Sequence, residues 1–242
     1  QALSTVVDSI FVSHVSEGAL TAVSLAFSLQ NMMIAVGVGT GVGVNALLSK
    51  SLGEKDQERA NKTAENGIFL ALCSFVAFFI IGLTCMKPYF YAQTSDVEIA
   101  EQGIRYLTVC SVFSLGLFLQ TMSEKLLAAT GRTNLSMCSQ LIGAIVNIVL
   151  DPILIFLFGL GVRGAAIATV LSQAVGAIWI IRFLTGPKTT LRLKKEYLKP
   201  EGKIVLPVLA LGISTFVMMS TESLLSISFS SSLARYGGGG AG

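Results

Sequence analysis

The sequence predicts an all-α protein that crosses a membrane about seven times. Three observations carry this reading. Only 13% of the residues are charged, where soluble domains run near a quarter, and the mean hydropathy is +0.73. Uncharged stretches recur at 18–49, Asn66–Met86, Tyr106–Ser123, Thr133–Leu150, Gly164–Ile181 and Ile204–Thr221. Each can supply the roughly 20 apolar residues of one crossing. Lys and Arg gather in alternate connections. The runs are too long and too continuous for the ~10-residue alternating strands of a membrane β-barrel.

The first apolar piece, Ala2–Val12, is too short to span and reads as the remnant of a truncated first helix ending near Ser13. With no basic segment before it, it does not read as a signal peptide. A second helix is predicted at 19–48, where the uncharged run of 18–49 is 32 residues long. A third follows at 64–86, after LGEKDQERANKTAEN. The next connection is hydrophilic, and in it Ser95 followed by Glu98 reads as a capping box. A fourth helix is expected at 99–128 and a fifth at 133–157, separated by a turn at Gly131, Arg132 and Asn134. Gly159, Gly161 and Gly164 punctuate the way to a sixth at 163–184. GPKTTLRLKKEYLKPEGK then leads to a seventh at 203–233, and GGGGAG at 237–242 is a low-complexity tail.

If every helix crosses, the connections after helices 2, 4 and 6 share one side, and these hold most of the Lys and Arg. The positive-inside bias places them in the cytoplasm, together with the N-terminus. The basic connection reads as an inner-face loop near anionic lipid or as a linker between lobes. It has little aromatic interleaving, and a net charge of +3 leaves no nucleic-acid footprint. Cys73, Cys85, Cys110 and Cys138 lie in or beside apolar runs without metal-ligand spacing, and a single His14 excludes a multi-histidine site. No Gly-x-Ser-x-Gly elbow or His-Glu-x-x-His pair is present, so an enzyme is not expected, nor is a cofactor.

Several polar groups fall where lipid makes them costly. Asp8 sits inside the first helix and should face a cavity or a partner, where it can exchange a proton; a wet position at the outer interface is the alternative. Asn147 and Asp151 are four apart and share one helix face. Pro152 follows and should kink the helix or end its regular part. Together they can offer oxygens to a cation or a proton, or form a capping cluster. Glu222 lies among Ser220, Thr221, Ser223, Ser226 and Ser228 and is expected to face inward. Gln120 is a cavity or packing group, while Glu124 and Lys125 read as helix-end contacts. Gly37, Gly39, Gly41 and Gly43 alternate without the Lys of a phosphate loop. They read as a packing surface or as a place where helix 2 bends.

The patterns VVDSIFVSHVSEGALTAVSLAF (6–27), GVGTGVGVNALLSKSLGEKDQERANK (37–62), QTMSEKLLAATGRTN (120–134), NIVLDPILIF (147–156) and GVRGAAIATVLSQ (161–173) together resemble the multidrug and toxic-compound extrusion (MATE) family. The likeness is strongest to its bacterial DinF-like branch. The resemblance implies twelve helices in two six-helix lobes, and export of small organic, often cationic, compounds from the cytoplasmic membrane by H+ or Na+ antiport. Asp8, Asn147 and Asp151 match family coupling positions, with Na+ or H+ as the ion, and Glu222 resembles a seventh-helix acid of another branch. On this reading 1–184 is the first lobe, 185–202 the cytoplasmic inter-lobe loop and 203–242 the first helix of the second lobe. The rest of that lobe is missing. A lipid-linked precursor flippase and a noncatalytic half-transporter scaffold are the competing readings.

Overall fold

The computed structural model describes residues 2–193 and 199–236. The tail at 237–242 and the centre of the basic connection, 194–198, lie outside the described residues, as do the side chains of 2–5, 230 and 233–236. Among the described residues the chain forms nine α-helices. They are α1 (Ala2–Ser13), α2 (Glu17–Gly53), α3 (Gln57–Thr84), α4 (Met86–Gln93), α5 (Val97–Val112), α6 (Leu115–Ala129), α7 (Thr133–Pro152), α8 (Val162–Leu184) and α9 (Gly202–Tyr236). Five helical stretches are long and apolar enough to cross a membrane: α2, α3, Thr133–Leu157, α8 and Gly202–Phe229. The pair α5 and α6 makes a sixth, bent by 50° at its break. The fold is therefore all-α and polytopic, and α1, with 12 residues, is below spanning length.

Local signals explain most boundaries. Ser16 accepts the Ala19 amide at 3.0 Å to open α2, and Asp56 accepts that of Arg59 at 3.0 Å to open α3. At the start of α5 the cap is Asp96, which accepts the amides of Glu98 (2.9 Å) and Ile99 (3.4 Å). This displaces the capping role expected of Ser95. An Asp96→Ala variant should lose about 1 kcal/mol and Ser95→Ala close to nothing, by thermal unfolding in detergent; equal losses would return the cap to Ser95. The connection read as hydrophilic also contains α4, which packs Met86 and Phe90 inward. The predicted fourth helix is two helices, interrupted at Phe113–Ser114. At Pro152 the missing amide ends regular α-helix, and Ile153–Leu157 continue as a π turn. Gly159 and Gly161, with φ of 64° and 54°, then reverse the chain into α8.

α2 and α8 are the central helices: half of each apolar window is enclosed, against 22% for α3, α7 and α9. One core, around Leu48, Phe118, Met122, Leu127 and Ile180, joins α2, α3, α6 and α8. Another, around Val23, Phe90, Tyr106 and Ala165, joins α2, α4, α5 and α8. The alternating glycines of α2 divide between two neighbours. Gly37 and Gly41 face Phe118 and Lys125 of α6, whereas Gly39 and Gly43 lie against Phe216, Gly212 and Val208 of α9. These are helix-packing contacts, and α2 runs unbroken through all four.

Candidate ion site in the helix bundle

Asp8 of α1 and Asn147 and Asp151 of α7 come together inside the bundle. They are 5%, 1% and 0% exposed, so the wet outer position considered for Asp8 does not occur. Helical spacing sets Asn147 and Asp151 one turn apart, and Asn147 Nδ2 donates to Asp151 Oδ1 at 3.4 Å. The Asp8 carboxyl faces both of them and Thr169 of α8. Thr169 Oγ1 lies 3.2 Å from Asp8 Oδ2 and 3.0 Å from the Ala165 carbonyl. Beside this group Tyr106 of α5 donates to Gln30 Oε1 of α2 at 3.3 Å.

With both acids ionised, three oxygens of the cluster, Asp8 Oδ1, Asn147 Oδ1 and Asp151 Oδ2, are buried without a hydrogen-bond donor. Buried acceptors normally find partners. None of the ion pairs among the described residues involves Asp8 or Asp151. Two adjoining carboxylates in a low-dielectric interior repel strongly unless a proton or a cation comes between them. The donor set is two carboxylates and an amide oxygen, hard ligands that suit a proton or an alkali cation. Among the described residues no group of three or more His, Cys, Asp or Glu is arranged to hold a metal ion.

Asp8, Asn147 and Thr169 line a cavity of about 70 Å³ together with Gln120, Glu124 and Gln140. Gln120 Nε2 donates to Glu124 Oε1 (3.1 Å) and to Ser139 Oγ (3.3 Å). Gln140 Nε2 donates to Glu124 Oε2 at 3.0 Å. Glu124 is 8% exposed, which corrects its reading as a helix-end contact: its carboxylate is a wall of the cavity. Glu222 is exposed on α9 and takes no part in this wall. The residues that sequence reasoning did not place at the site are Thr169, Tyr106 and Gln30. Their signal was faint, a neutral polar residue in each of three apolar runs. The cavity admits an ion or a few waters but is well short of the ~300 Å³ of a drug-sized site.

Residues 1–153 match the family model MatE. The multidrug export protein MepA of Staphylococcus haemolyticus (strain JCSC1435) is 26% identical over 218 residues, which are 90% of this chain and 48% of that protein. MepA of Staphylococcus aureus (strain MRSA252) is 25% identical over the same shares. The chain spans about half the length of the curated relatives it matches. Among solved structures, a multidrug resistance MATE family transporter of the MOP superfamily in an inward-facing conformation superposes with a TM-score of 0.93 at 28% identity. The match covers 98% of this chain and 54% of that one. A MOP superfamily transporter from Pyrococcus furiosus superposes with a TM-score of 0.87 at 29% identity, covering 93% of this chain and 50% of that one.

Proposed function

The chain belongs to the MatE family, and we propose that it forms the first lobe of a two-lobe antiporter that exports small organic, often cationic, compounds in exchange for H+ or Na+. The relatives of this family are transporters, not enzymes. The chain matches half of each relative, which supports a second lobe completing the whole protein, with α9 as its first helix. The bias of Lys and Arg supports placement in the bacterial cytoplasmic membrane with the N-terminus inside. Within the family, the five sequence patterns taken together resemble the DinF-like branch.

The observation that carries the reading is the set of three donorless oxygens on Asp8, Asn147 and Asp151. An arriving proton or Na+ relieves the repulsion between Asp8 and Asp151 and draws α1 and α7 together; its departure reverses this. Coupling then requires that the two lobe arrangements differ in affinity for the ion and, in the opposite sense, for the exported compound. The cavity is too small for the exported compound, so the compound binds between this bundle and the second lobe. Glu222, exposed on α9, is available to that shared space, while Gln120 holds the inner wall of the ion cavity.

The test is efflux of a fluorescent organic cation from proteoliposomes containing the two-lobe protein, with proton and sodium gradients imposed separately. Efflux driven by one gradient and absent without either is expected, and it names the ion. Equal leakage under all conditions would sink the antiport reading, and movement of a lipid-linked precursor in its place would favour the flippase.

A further inference from the structure

The connection leaving α8 alternates in burial. Leu191 is buried, Thr189 and Leu193 are half-buried, and Thr190 and Arg192 are exposed. A period of two is the mark of an extended segment lying on a surface. Leu191 enters the core that contains Leu184 and Ile204, and Leu193 packs against it.

An extended backbone must find partners for its polar groups, and here other elements supply them. Gln57 Nε2 of α3 donates to the Thr190 carbonyl at 2.9 Å. The Arg192 amide donates to Asn61 Oδ1 at 3.1 Å, and the same oxygen accepts from Gln57 Nε2 at 3.0 Å. Arg132, between α6 and α7, donates Nη2 to the Lys188 carbonyl at 2.5 Å. The far end is tied as well. The Glu201 amide donates to Asn66 Oδ1 at 3.0 Å, and Lys62 Nζ lies 3.7 Å from Glu201 Oε1. Asn66 is 1% exposed, so this anchor is set inside the bundle. Immediately beyond it Gly202 has no atom within 4 Å of where a Cβ would stand.

We infer that 186–193 and 199–201 are a strap fastened to the cytoplasmic face of the α1–α8 bundle, and that α9 pivots at Glu201–Gly202 during transport. The strap stands on the contacts alone and its cytoplasmic placement on the Lys and Arg bias; the pivot rests on the export reading. A loose tether would let the lobes separate. A fastened strap makes α9 swing from one fixed point, so its far end travels most. That end is held by Ser231 Oγ, which donates to Gln93 Oε1 at the end of α4 at 3.2 Å.

Hydrogen exchange tests the strap. The Arg192 amide should exchange slowly, roughly tenfold faster in Asn61→Ala, and slowly again in Asn61→Asp, which keeps an acceptor. Exchange at the free-coil rate in the unaltered protein overturns it. Cross-linking tests the pivot, in the two-lobe protein with its native cysteines replaced and a short, reducible thiol reagent. Linking Asn61→Cys to Arg192→Cys, or Asn66→Cys to Glu201→Cys, should leave efflux unchanged. Linking Gln93→Cys to Ser231→Cys should stop it until reductant is added. Failure of the first two pairs to link, or loss of efflux when they do, overturns the strap. Continued efflux with the third pair linked overturns the pivot. If the unlinked protein moves no substrate, the export reading fails, and exchange at Arg192 still decides the strap.

Discussion

An Asp8→Asn variant of the two-lobe protein is expected to insert and fold normally and to lose gradient-driven efflux. The amide is nearly isosteric with the acid and can still accept the Thr169 hydroxyl, which lies 3.2 Å from Asp8 Oδ2, so packing around α1 is kept. What disappears is the charge. Removing one carboxylate from a buried ionic contact costs about 3 kcal/mol or more, which is at least ~100-fold in affinity for a cation. With H+ as the coupling ion the amide simply does not titrate. Thr169→Val should do less, about tenfold, since it removes one hydrogen bond to a charged group. Asp8→Asn combined with Asp151→Asn should be no worse than either alone, because both residues serve one site. Efflux under an imposed ion gradient, alongside substrate binding, gives the reading. Wild-type efflux from Asp8→Asn would remove Asp8 from the mechanism.

The sequence made the membrane crossings easy to read and their interruptions hard. A long uncharged run such as 18–49 has one interpretation, because a soluble fold seldom needs it. The break between α5 and α6 has no comparable signature. VCSVFSLGLF carries neither Pro nor charge, and what separates the helices is tertiary: Gly116 lies against the backbone of Ala174 on α8. α4 was hidden for a related reason, since eight residues of mixed polarity show no period long enough to recognise. Within the site, charge was the visible quantity. Asp8 and Asp151 stood out because an acid in lipid demands an explanation. Thr169 demanded none, and its partner Asp8 is 161 positions away. Glu124 misled because Lys125 sits beside it in sequence, whereas a helix turns adjacent side chains by ~100° and sends them to different neighbours. The Lys125 chain runs past Gly41, and the Glu124 carboxylate turns to Gln120 and Gln140.

The four glycines of α2 should differ sharply when each is replaced by Ala, and the order separates packing from bending. A Cβ at Gly43 would occupy the place of the Val208 carbonyl, and α9 has no side chain to move out of the way. The helices must part, which costs about 3 kcal/mol or more. Gly39 comes next, with Phe216 Cβ at 3.0 Å and the Gly212 carbonyl at 3.3 Å. At Gly41 the nearest atom is Lys125 Cγ at 2.8 Å, with Cβ at 3.5 Å; these lie at the root of that side chain, so Lys125 must change rotamer and an intermediate loss is expected. At Gly37 the nearest atom is Phe118 Cδ1 at 3.4 Å, an ordinary contact, and Ala is tolerated. Gly53 meets nothing within 4 Å, and there Ala should gain up to about 1 kcal/mol from helix propensity. Thermal unfolding of the five variants in nanodiscs measures the series. If the glycines served to bend α2, all four would suffer alike. A steep fall at Gly43, with tolerance at Gly37 and a lesser loss at Gly41, instead locates their purpose in the seam with α9. That seam is also the surface along which α9 must move if it pivots at Glu201, so a variant that survives at Gly43 should bind substrate and fail to release it.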